Sequence, residues 1–204
     1  LNMQLLFERQ PALENQMKAF DGHIYFLSRY NETVHARATQ KLWMDMSWLE
    51  RLGLEVPVTT NDFYDVLKAF KEQDANGNGD PNDEIPFIVY AGGYNSNNFG
   101  CILNAFTYYP NAIAEYVEDG KIMEPYMQDG FRDGLKYLKV LYDEQLLNEG
   151  HLLMKAEQAK TLADAEKGSR IGSVQGGNVG IFDVTDPKIF DFEVIEPLTG
   201  PSGL

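Results

Sequence analysis

Residues 59–91, TTNDFYDVLKAFKEQDANGNGDPNDEIPFIVYA, are predicted to form a helix, a polar loop and a buried strand, in that order. Thr59 and Thr60 offer a cap for the helix, because a hydroxyl at that position accepts a hydrogen bond from a free backbone N–H. Four apolar residues then follow the i, i+3, i+4, i+7 spacing of a core-facing helix: Phe63, Val66, Leu67 and Phe70. The segment from Ile85 to Ala91 is rich in β-branched and aromatic residues, which favours a strand.

The loop between this helix and strand, DANGNGDPNDEIP at residues 74–86, has the oxygen spacing of a calcium site. Side chains at the first, third and fifth positions of a tightly wound loop point to one centre, and a glycine at the sixth position, here Gly79, permits the sharp turn. The candidate ligands are Asp74, Asn76, Asn78, Asp80 through its backbone carbonyl, Asp83 and Glu84.

The match of this loop to a helix–loop–helix calcium hand is incomplete, because its twelfth position is Ile85 and a strand follows. The alternative is a solvated Asn/Gly turn that carries acidic residues. A fully ligated calcium ion leaves little room to activate water, so we expect Ca2+ here to be structural and to hold the helix to the strand.

The rest of the chain alternates helices and strands without internal repeats, which indicates an α/β fold. Helices are predicted over parts of 1–20 with a break at Pro11, and over 42–52, 101–106, 129–147 and 155–167. Strands are predicted over 24–27, 171–174 and 190–195, with a hairpin at 115–123.

Composition excludes several classes of protein. The chain has 204 residues and a formal net charge of -14, which repels phosphate backbones and argues against nucleic acid as a partner. No apolar run approaches the roughly 18 residues that span a bilayer. The single cysteine, Cys101, lacks a disulfide partner and metal-ligand spacing, so we expect it to be a small buried apolar residue.

Five blocks of the sequence carry a resemblance to a known family: DGHIYFL at 21–27, LWMDMSWLERLGLEVPVTTNDFYDVLKAFKEQD at 42–74, VEDGKIMEPYMQDGFRDGLKYLKVLYDEQLLN at 117–148, RIGSVQGGNVGIF at 170–182 and FEVIEPLTGPSG at 192–203. Their order resembles the carbohydrate-type extracellular solute-binding proteins of bacterial ABC transporters, especially the lipoprotein group of Gram-positive bacteria. Members often carry a calcium loop at this place, which assigns the same six loop residues as ligands. The Pro81-Asn82 insertion departs from the family pattern, as does Asp45-Met46, where the family commonly has Asn-Lys and where we expect altered contacts near the cleft.

The resemblance implies one lobe of a two-lobed, type II periplasmic-binding-protein-like fold, with helices packed around a small mixed sheet. Residues 1–27 become a remnant of the N-terminal lobe with the first crossover strand, 28–190 the C-terminal lobe, and 191–204 the return crossover. It further implies a monomer that binds a small-molecule solute, expected to be a carbohydrate, for an ABC permease. The full-length protein would be an extracytoplasmic, cell-surface lipoprotein, attached to the membrane only through a lipid anchor.

Two clusters of candidate ligand-binding residues, at 94–99 and 175–178, follow predicted strand ends, where open α/β sheets bind ligands. Tyr30, near the first crossover, and Trp43 are further candidates. Sugar recognition needs aromatic faces for C–H surfaces and planar amides for hydroxyl groups. The candidates are Tyr30, Trp43, Tyr94, Asn95, Asn97, Asn98, Phe99, Gln175 and Asn178, with Gly176 and Gly177 in the second loop. Each also fits a surface loop whose polar groups satisfy local backbone atoms. Trp48 is expected in the core, and for Trp43 core and ligand contact remain equal alternatives.

Two rival functions remain open at this stage. A secreted glycoside hydrolase needs two carboxylates, but no pair is singled out, and nucleophile-elbow, phosphate-loop and zinc motifs are missing from the sequence. A calcium-dependent adhesion or scaffold module would account for the loop, although such modules usually repeat it. We therefore expect a non-catalytic binding protein.

Overall fold

The computed structural model describes every residue except 1, 29, 34–37, 97–98, 111–114, 151–152, 165–168, 183–184 and 204. The chain divides into two compact units, Leu1–Arg37 and Ala38–Leu204. The predicted division into parts of two lobes concerns a longer protein and stays a prediction.

The first unit contains two short helices, α1 (Asn2–Arg9) and α2 (Pro11–Met17), which confirms the helical prediction and its break at Pro11. The strand predicted over 24–27 is wrong. Ile24 forms one isolated bridge with Lys18, and the side chains that follow it are exposed. A strand needs backbone pairing along its length, and the described residues of this unit supply only one bridging residue, Lys18.

The second unit contains six strands and five α-helices within its described residues. The strands are β1 (Leu42–Asp45), β2 (Ile85–Ile88), β3 (Tyr116–Glu118), β4 (Lys121–Met123), β5 (Ile171–Gln175) and β6 (Phe192–Val194). The α-helices are α3 (Met46–Leu52), α4 (Thr60–Glu72), α5 (Gly100–Leu103), α6 (Asp129–Asp143) and α7 (Ala156–Ala163). Two short 3-10 helices cover Pro125–Met127 and Pro187–Asp191.

Four of these strands form one mixed sheet in the order β2-β5-β1-β6, while β3 and β4 form the predicted hairpin. Strand β5 runs parallel to β2 and antiparallel to β1. All five residues of β5 are buried, as expected for a strand with a neighbour on each edge and helices on its faces. The α/β class and the small mixed sheet are confirmed.

Helix α4 supplies one side of the core. Thr59 caps it through a reciprocal pair of hydrogen bonds with Asp62, which satisfies two free backbone N–H groups. Phe63 and Phe70 on its inner face are fully buried and meet Phe87 and Trp48 edge to face, at ring-centroid distances of 5.6 and 5.1 Å. Each such side chain contributes about 1.5–3 kcal/mol on burial.

Several predicted boundaries shift. Residues 42–45 form β1 instead of the first turn of a helix, because their backbone pairs with β5 and β6 on both sides. Helix α3 therefore starts at Met46, capped by the Asp45 carboxylate, and ends at Gly53 in the left-handed conformation. Helix α6 ends at Asp143, and two residues later Gln145 has a φ of 59°. The predicted strand 190–195 is confined to β6, with Phe190 exposed in the preceding 3-10 helix.

Among the described residues, no helix is both long and apolar enough to cross a membrane.

Gly172 lies in the middle of β5 where Trp48 and Phe70 press onto the strand. A Cβ at this position would lie 2.5 Å from Phe70 Cδ2 and 2.8 Å from Trp48 Cζ3. We expect Gly172→Ala to lower the free energy of unfolding by about 1–3 kcal/mol, because overpacking forces aromatic side chains out of place. Urea unfolding measures it.

Gly150→Ala is the matched control, since a Cβ there meets Met154 at an ordinary 3.8 Å. It reports the loss of unfolded-state entropy that any Gly→Ala change brings. Equal effects of the two substitutions would contradict the close-packing explanation for Gly172.

Candidate functional site

Three backbone segments meet at one edge of the four-stranded sheet. Because β2 and β5 are parallel, their C-terminal ends share this edge, and β1 begins there, since Leu42 pairs with Gln175. The segments that reach the edge are residues 40–43, 90–96 and 175–178. This edge is the place where an open α/β sheet binds ligands.

Tyr94 and Gly177 are in direct contact at this edge. The Gly177 N–H donates to the Tyr94 carbonyl at 2.6 Å, and the Tyr94 ring occupies the space that a Cβ of Gly177 would need. The Tyr94 side chain is nevertheless 45% exposed. The glycine thus allows an aromatic face to lie over the loop while the ring stays accessible from solvent.

Trp43 and Lys41 hold the same glycine loop from the side of β1. The Trp43 Nε1–H donates to the Gly176 carbonyl at 2.9 Å, and the Lys41 ammonium donates to the Gly177 carbonyl at 3.1 Å. Burial lowers the pKa of Lys41. Trp43 is partly buried against the core beside β5, so it combines a packing role with a position at the edge.

Gln175 connects two further segments beneath the loop. Its side chain is fully buried, its Nε2 donates to the Asn95 carbonyl at 3.1 Å, and its Oε1 accepts from the Cys101 thiol at 2.8 Å. Burial raises the pKa of the Cys101 thiol, so the sulfur keeps its proton and donates. Cys101 is therefore a hydrogen-bond donor to the site in addition to the packing residue that we expected.

Two residues at this edge carry no signal in the sequence. They are Gln40 and Asn104, whose Nδ2 donates to Gln40 Oε1 at 2.7 Å. The Gln40 side chain also occupies the space that a Cβ of Gly100 would need. The buried Nε2 of Gln40 has no hydrogen-bond partner among the described residues. Nothing local distinguishes an isolated Gln before a strand or an Asn after a four-residue helix, because the two meet only through the fold.

Of the remaining predicted ligand residues, Asn178 ends the third segment at this edge, whereas Phe99 and Tyr30 lie outside the three segments. Asn178 is exposed, and its Oδ1 accepts from the Gly180 N–H at 3.1 Å. Phe99 is partly buried and lines a cavity of about 670 Å3 against α6. Tyr30 lies in the first unit and donates to Glu32 Oε1 at 2.6 Å. Asn97 and Asn98 fall outside the described residues.

The loop at 74–84 winds back on itself through its own polar groups. The Asp74 Oδ2 accepts from the Gly79 N–H at 3.0 Å, and Asn76 Oδ1 and Asn78 Oδ1 each accept from the N–H two residues further on. The amides of Asn76 and Asn78 both donate to the Asp83 carboxylate, at 3.0 and 3.1 Å. Gly77 and Gly79 have positive φ, which the tight winding requires.

Three carboxylate oxygens of this loop are buried without a hydrogen-bond partner: Asp74 Oδ1 and both oxygens of Glu84. Burial raises the pKa of Glu84, and the nearby backbone amides of Asn76 and Ala75 offset only part of that effect. A buried carboxylate oxygen without a partner is costly unless a cation or donor meets it. These orphaned hard oxygens, beside the side-chain oxygens of Asn76 and Asn78, fit a calcium ion.

The acidic side chains of this loop do not by themselves form a cluster of metal ligands. Across the part of the chain that the structure describes, no three His, Cys, Asp or Glu side chains converge as they would around an ion. Two of the candidate ligands are amides, and Asp83 is turned toward Asn76 and Asn78, with Arg170 Nε 3.7 Å from its Oδ2.

Asp45 and Lys188 form an ion pair at the other end of β1. The Lys188 ammonium lies 2.7 Å from Asp45 Oδ2, 3.1 Å from Ser47 Oγ and 3.0 Å from Asp191 Oδ2. Asp45 is fully buried, and burial raises its pKa more than Lys188 and Ser47 lower it. Asp45 lies at the opposite end of β1 from Leu42 and caps α3. The expectation that it alters contacts near the cleft stays a prediction.

Comparison with known proteins identifies relatives across nearly the whole chain, although no family model matches it. The fructooligosaccharide ABC transporter substrate-binding protein FusA of Streptococcus pneumoniae is 30% identical, over 99% of this chain and 37% of its own length. Lipoprotein LipO of Bacillus subtilis is also 30% identical, over 90% of this chain and 36% of its length.

A solved structure of FusA with kestose superposes with a TM-score of 0.78 and 27% identity, over 99% of this chain and 41% of that one. The chain is a homologue of ABC-transporter substrate-binding proteins. It spans about two fifths of these relatives' length, and its fold is that of part of one lobe of a type II solute-binding protein. A second FusA structure, an EF-hand mutant with fructo-nystose, has a TM-score of 0.76 and 28% identity.

The Asp45–Lys188 pair of this substrate-binding-protein homologue generates a prediction about stability. Asp45→Asn keeps a cap acceptor and leaves Lys188 paired with Asp191, so we expect the free energy of unfolding at neutral pH to fall by no more than about 1 kcal/mol, or to rise. Lys188→Met leaves the Asp45 carboxylate buried and unpaired, and should cost about 3 kcal/mol. Chemical denaturation of both variants measures the difference.

The same pair predicts a pH dependence. Because the pKa of Asp45 is raised in the folded chain, the fold binds this proton more tightly than the unfolded chain does. Its contribution to stability is present at acidic pH and is lost as the pH rises through the raised value. Asp45→Asn should remove that slope. If Asp45→Asn lowered the free energy of unfolding as much as Lys188→Met does, the explanation based on a buried, unpaired Asp45 carboxylate would be contradicted.

Proposed function

We propose that the protein of which this chain is a part binds an oligosaccharide outside the cytoplasm and delivers it to an ABC permease, without catalysis. The observation that carries the proposal is the meeting of Tyr94, Trp43 and Gln175 around the Gly176–Gly177 loop at one edge of the sheet. The relatives support it, since FusA is named for fructooligosaccharides and its solved structure contains kestose.

The chemistry of this edge suits a sugar. The exposed ring of Tyr94 offers an apolar face for C–H groups, and the exposed amide of Asn178 offers a hydrogen bond to hydroxyl groups. The Lys41 ammonium at the edge is tied to the Gly177 carbonyl, so it orders the loop. The Cys101 thiol is not activated as a nucleophile, because it stays protonated and donates to Gln175.

The whole protein would close a second lobe over this edge, so that affinity depends on two walls. We further propose that it is a monomer attached by a lipid anchor to the outer face of the membrane. The lipid anchor is supported by the name of its relative, lipoprotein LipO. A permease and a lipid anchor would then be its partners, with no role for nucleic acid, which the net charge of -14 disfavours.

The binding proposal is tested on the full-length protein with fructooligosaccharides and other neutral oligosaccharides. We expect saturable binding, and Tyr94→Ala should raise the Kd roughly tenfold, since losing an aromatic face costs about 1.4 kcal/mol. Tyr94→Phe keeps the ring and should stay close to the original affinity. Isothermal titration calorimetry gives the Kd values.

Tyr126→Ala is the matched control, because Tyr126 is exposed to a similar degree, 49% against 45% for Tyr94, and packs beside Phe131 instead of at the edge. Equal losses of affinity for both variants would place the sugar elsewhere. Release of reducing ends from the bound oligosaccharide would support the glycoside hydrolase alternative and reject a purely binding role.

We also propose that the loop at 74–84 holds a structural calcium ion. The residues that would hold it are Asp74, Asn76, Asn78, Asp80 through its carbonyl, Asp83 and Glu84. The support is the three buried carboxylate oxygens without partners and the EF-hand named for the FusA structure. A bound calcium would supply positive charge to these oxygens, and Asp74 and Glu84 would thereby hold the end of α4 to the start of β2.

Thermal denaturation in calcium and in chelator tests the metal proposal. At calcium about 100-fold above the Kd, binding stabilises the fold by about 2.7 kcal/mol, which raises the Tm by roughly 5–11 °C for a chain of this size. Glu84→Gln should lose most of this rise while keeping or increasing the Tm in chelator, because it removes a buried charge.

Glu72→Gln is the matched control, since Glu72 is exposed at the end of α4 and outside the loop. It should keep the full response to calcium. An identical Tm in calcium and chelator would reject the metal site and leave the sugar-binding proposal standing.

A further inference from the structure

The calcium loop contains two Asn-Gly dipeptides, Asn76-Gly77 and Asn78-Gly79. Asparagine before glycine is chemically fragile, because the backbone nitrogen of the following residue can attack the side-chain carbonyl carbon. Glycine has no Cβ to hinder that approach or to restrict the backbone angles that it needs. The two dipeptides lie in one loop, so their surroundings can be compared contact by contact.

Both asparagine side chains are held in the same way. Each Oδ1 accepts from the N–H two residues on, at 2.9 Å for Asn76 and 2.7 Å for Asn78. Each Nδ2 donates to the Asp83 carboxylate, at 3.0 and 3.1 Å. Such a turn folds the side-chain carbonyl back toward the backbone of the residues that follow it.

The nitrogens that would attack differ. The Gly79 N–H donates to Asp74 Oδ2 at 3.0 Å, so the nitrogen after Asn78 is occupied. The Gly77 N–H donates to no acceptor among the residues that the structure describes. Attack at Asn78 must first break a hydrogen bond to a carboxylate, whereas attack at Asn76 loses none.

We propose that Asn76 is a site of spontaneous deamidation in the metal-free loop. Solvent hydroxide removes the proton of the Gly77 N–H, and that nitrogen forms a bond to Asn76 Cγ. The bond between Cγ and Nδ2 then breaks, and Nδ2 leaves as ammonia with a proton from water, so that a succinimide remains. One water molecule opens this ring at Cγ to give aspartate, or at the main-chain carbonyl carbon to give isoaspartate, and no oxidation or reduction takes place.

One contact assists the addition step. The Asn78 N–H already points at Asn76 Oδ1, the oxygen on which negative charge develops when Gly77 N attacks Cγ. A donor placed in advance on a developing oxyanion lowers the barrier. The Asp80 N–H occupies the same position for Asn78, so this contact does not separate the two sites, and the difference rests on Gly77 and Gly79.

Deamidation would change the charge of the proposed calcium loop. Deamidation to aspartate removes the Asn76 Nδ2 donor to Asp83 and puts a second carboxylate beside that of Asp83. The two carboxylates repel each other unless a cation lies between them. Isoaspartate lengthens the backbone by one carbon ahead of Gly77, where the chain already passes against Arg51. The charge consequence rests on the proposed calcium site, whereas the reactivity of Asn76 does not.

The experiment incubates the chain in chelator at mildly alkaline pH and follows proteolytic fragments by mass spectrometry. We expect the mass change for replacement of a side-chain amide by a carboxyl to appear at Asn76 several-fold faster than at Asn78. Isoaspartyl methyltransferase labelling should mark the same peptide. Asn76→Gln should abolish the fast product, because its ring closure would need a larger ring. Equal rates at Asn76 and Asn78, or a faster rate at Asn78, would overturn the proposal.

A parallel incubation in calcium separates this inference from the metal site. If calcium binds the loop, it should hold the Asn76 side chain and slow the reaction, while Asn61 and Asn82, each followed by aspartate, serve as internal references. Fast deamidation of Asn76 at the same rate in calcium and chelator would support the modification site and reject the calcium site.

Discussion

Pairing of the buried strand β5 with β2 on one side and β1 on the other is the interaction on which the second unit depends. Every residue of β5 is buried, and Gly172 lets Trp48 and Phe70 pack directly onto it. The parallel pair with β2 brings two strand ends to one edge, and the antiparallel pair with β1 brings the start of a third segment there. The candidate sugar-binding edge is a direct consequence of this strand order.

The site at that edge is built from backbone as much as from side chains. Trp43 and Lys41 donate to carbonyls of the Gly176–Gly177 loop, and Gly177 donates to the carbonyl of Tyr94. Glycine at 177 is required because the Tyr94 ring fills its Cβ position. Segments that are already joined by hydrogen bonds suit a binding wall, since a ligand then loses little affinity to ordering the protein.

The loop at 74–84 has the opposite character. Its amides and N–H groups satisfy most of its oxygens, yet Asp74 and Glu84 keep buried oxygens without partners. Burial raises the pKa of Glu84, so the charged form of this carboxylate is disfavoured in its surroundings. Arg51 donates to the Ala75 carbonyl and Arg170 lies near Asp83, so α3 and the start of β5 both contact the loop. A change in the conformation of the loop would therefore alter its contacts with α3 and with β5.

The sequence by itself determined the elements whose causes are local. Four of these elements agree with the structure, and each depends on residues a few positions apart. They are the apolar stripe and threonine cap of α4, the sharp turn at Gly79, the hairpin of β3 and β4 and the core position of Trp48. The resemblance of sequence blocks also indicated the family. Ligand-type oxygens at 74–84 were visible in the sequence, but the orphaned carboxylate oxygens were not, because burial is a property of packing.

Only the tertiary structure decided which remote segments meet. Local sequence predicts a helix at residues 42–45, which form a strand because two neighbouring strands pair with them. Within the described part of the chain, the apolar run at 24–27 forms a single bridge, from Ile24 to Lys18. The contacts of Trp43 with Gly176, of Cys101 with Gln175 and of Asp45 with Lys188 join residues more than 70 positions apart. Local sequence patterns do not predict strand order, because strand order is set by how the whole unit buries its apolar surface.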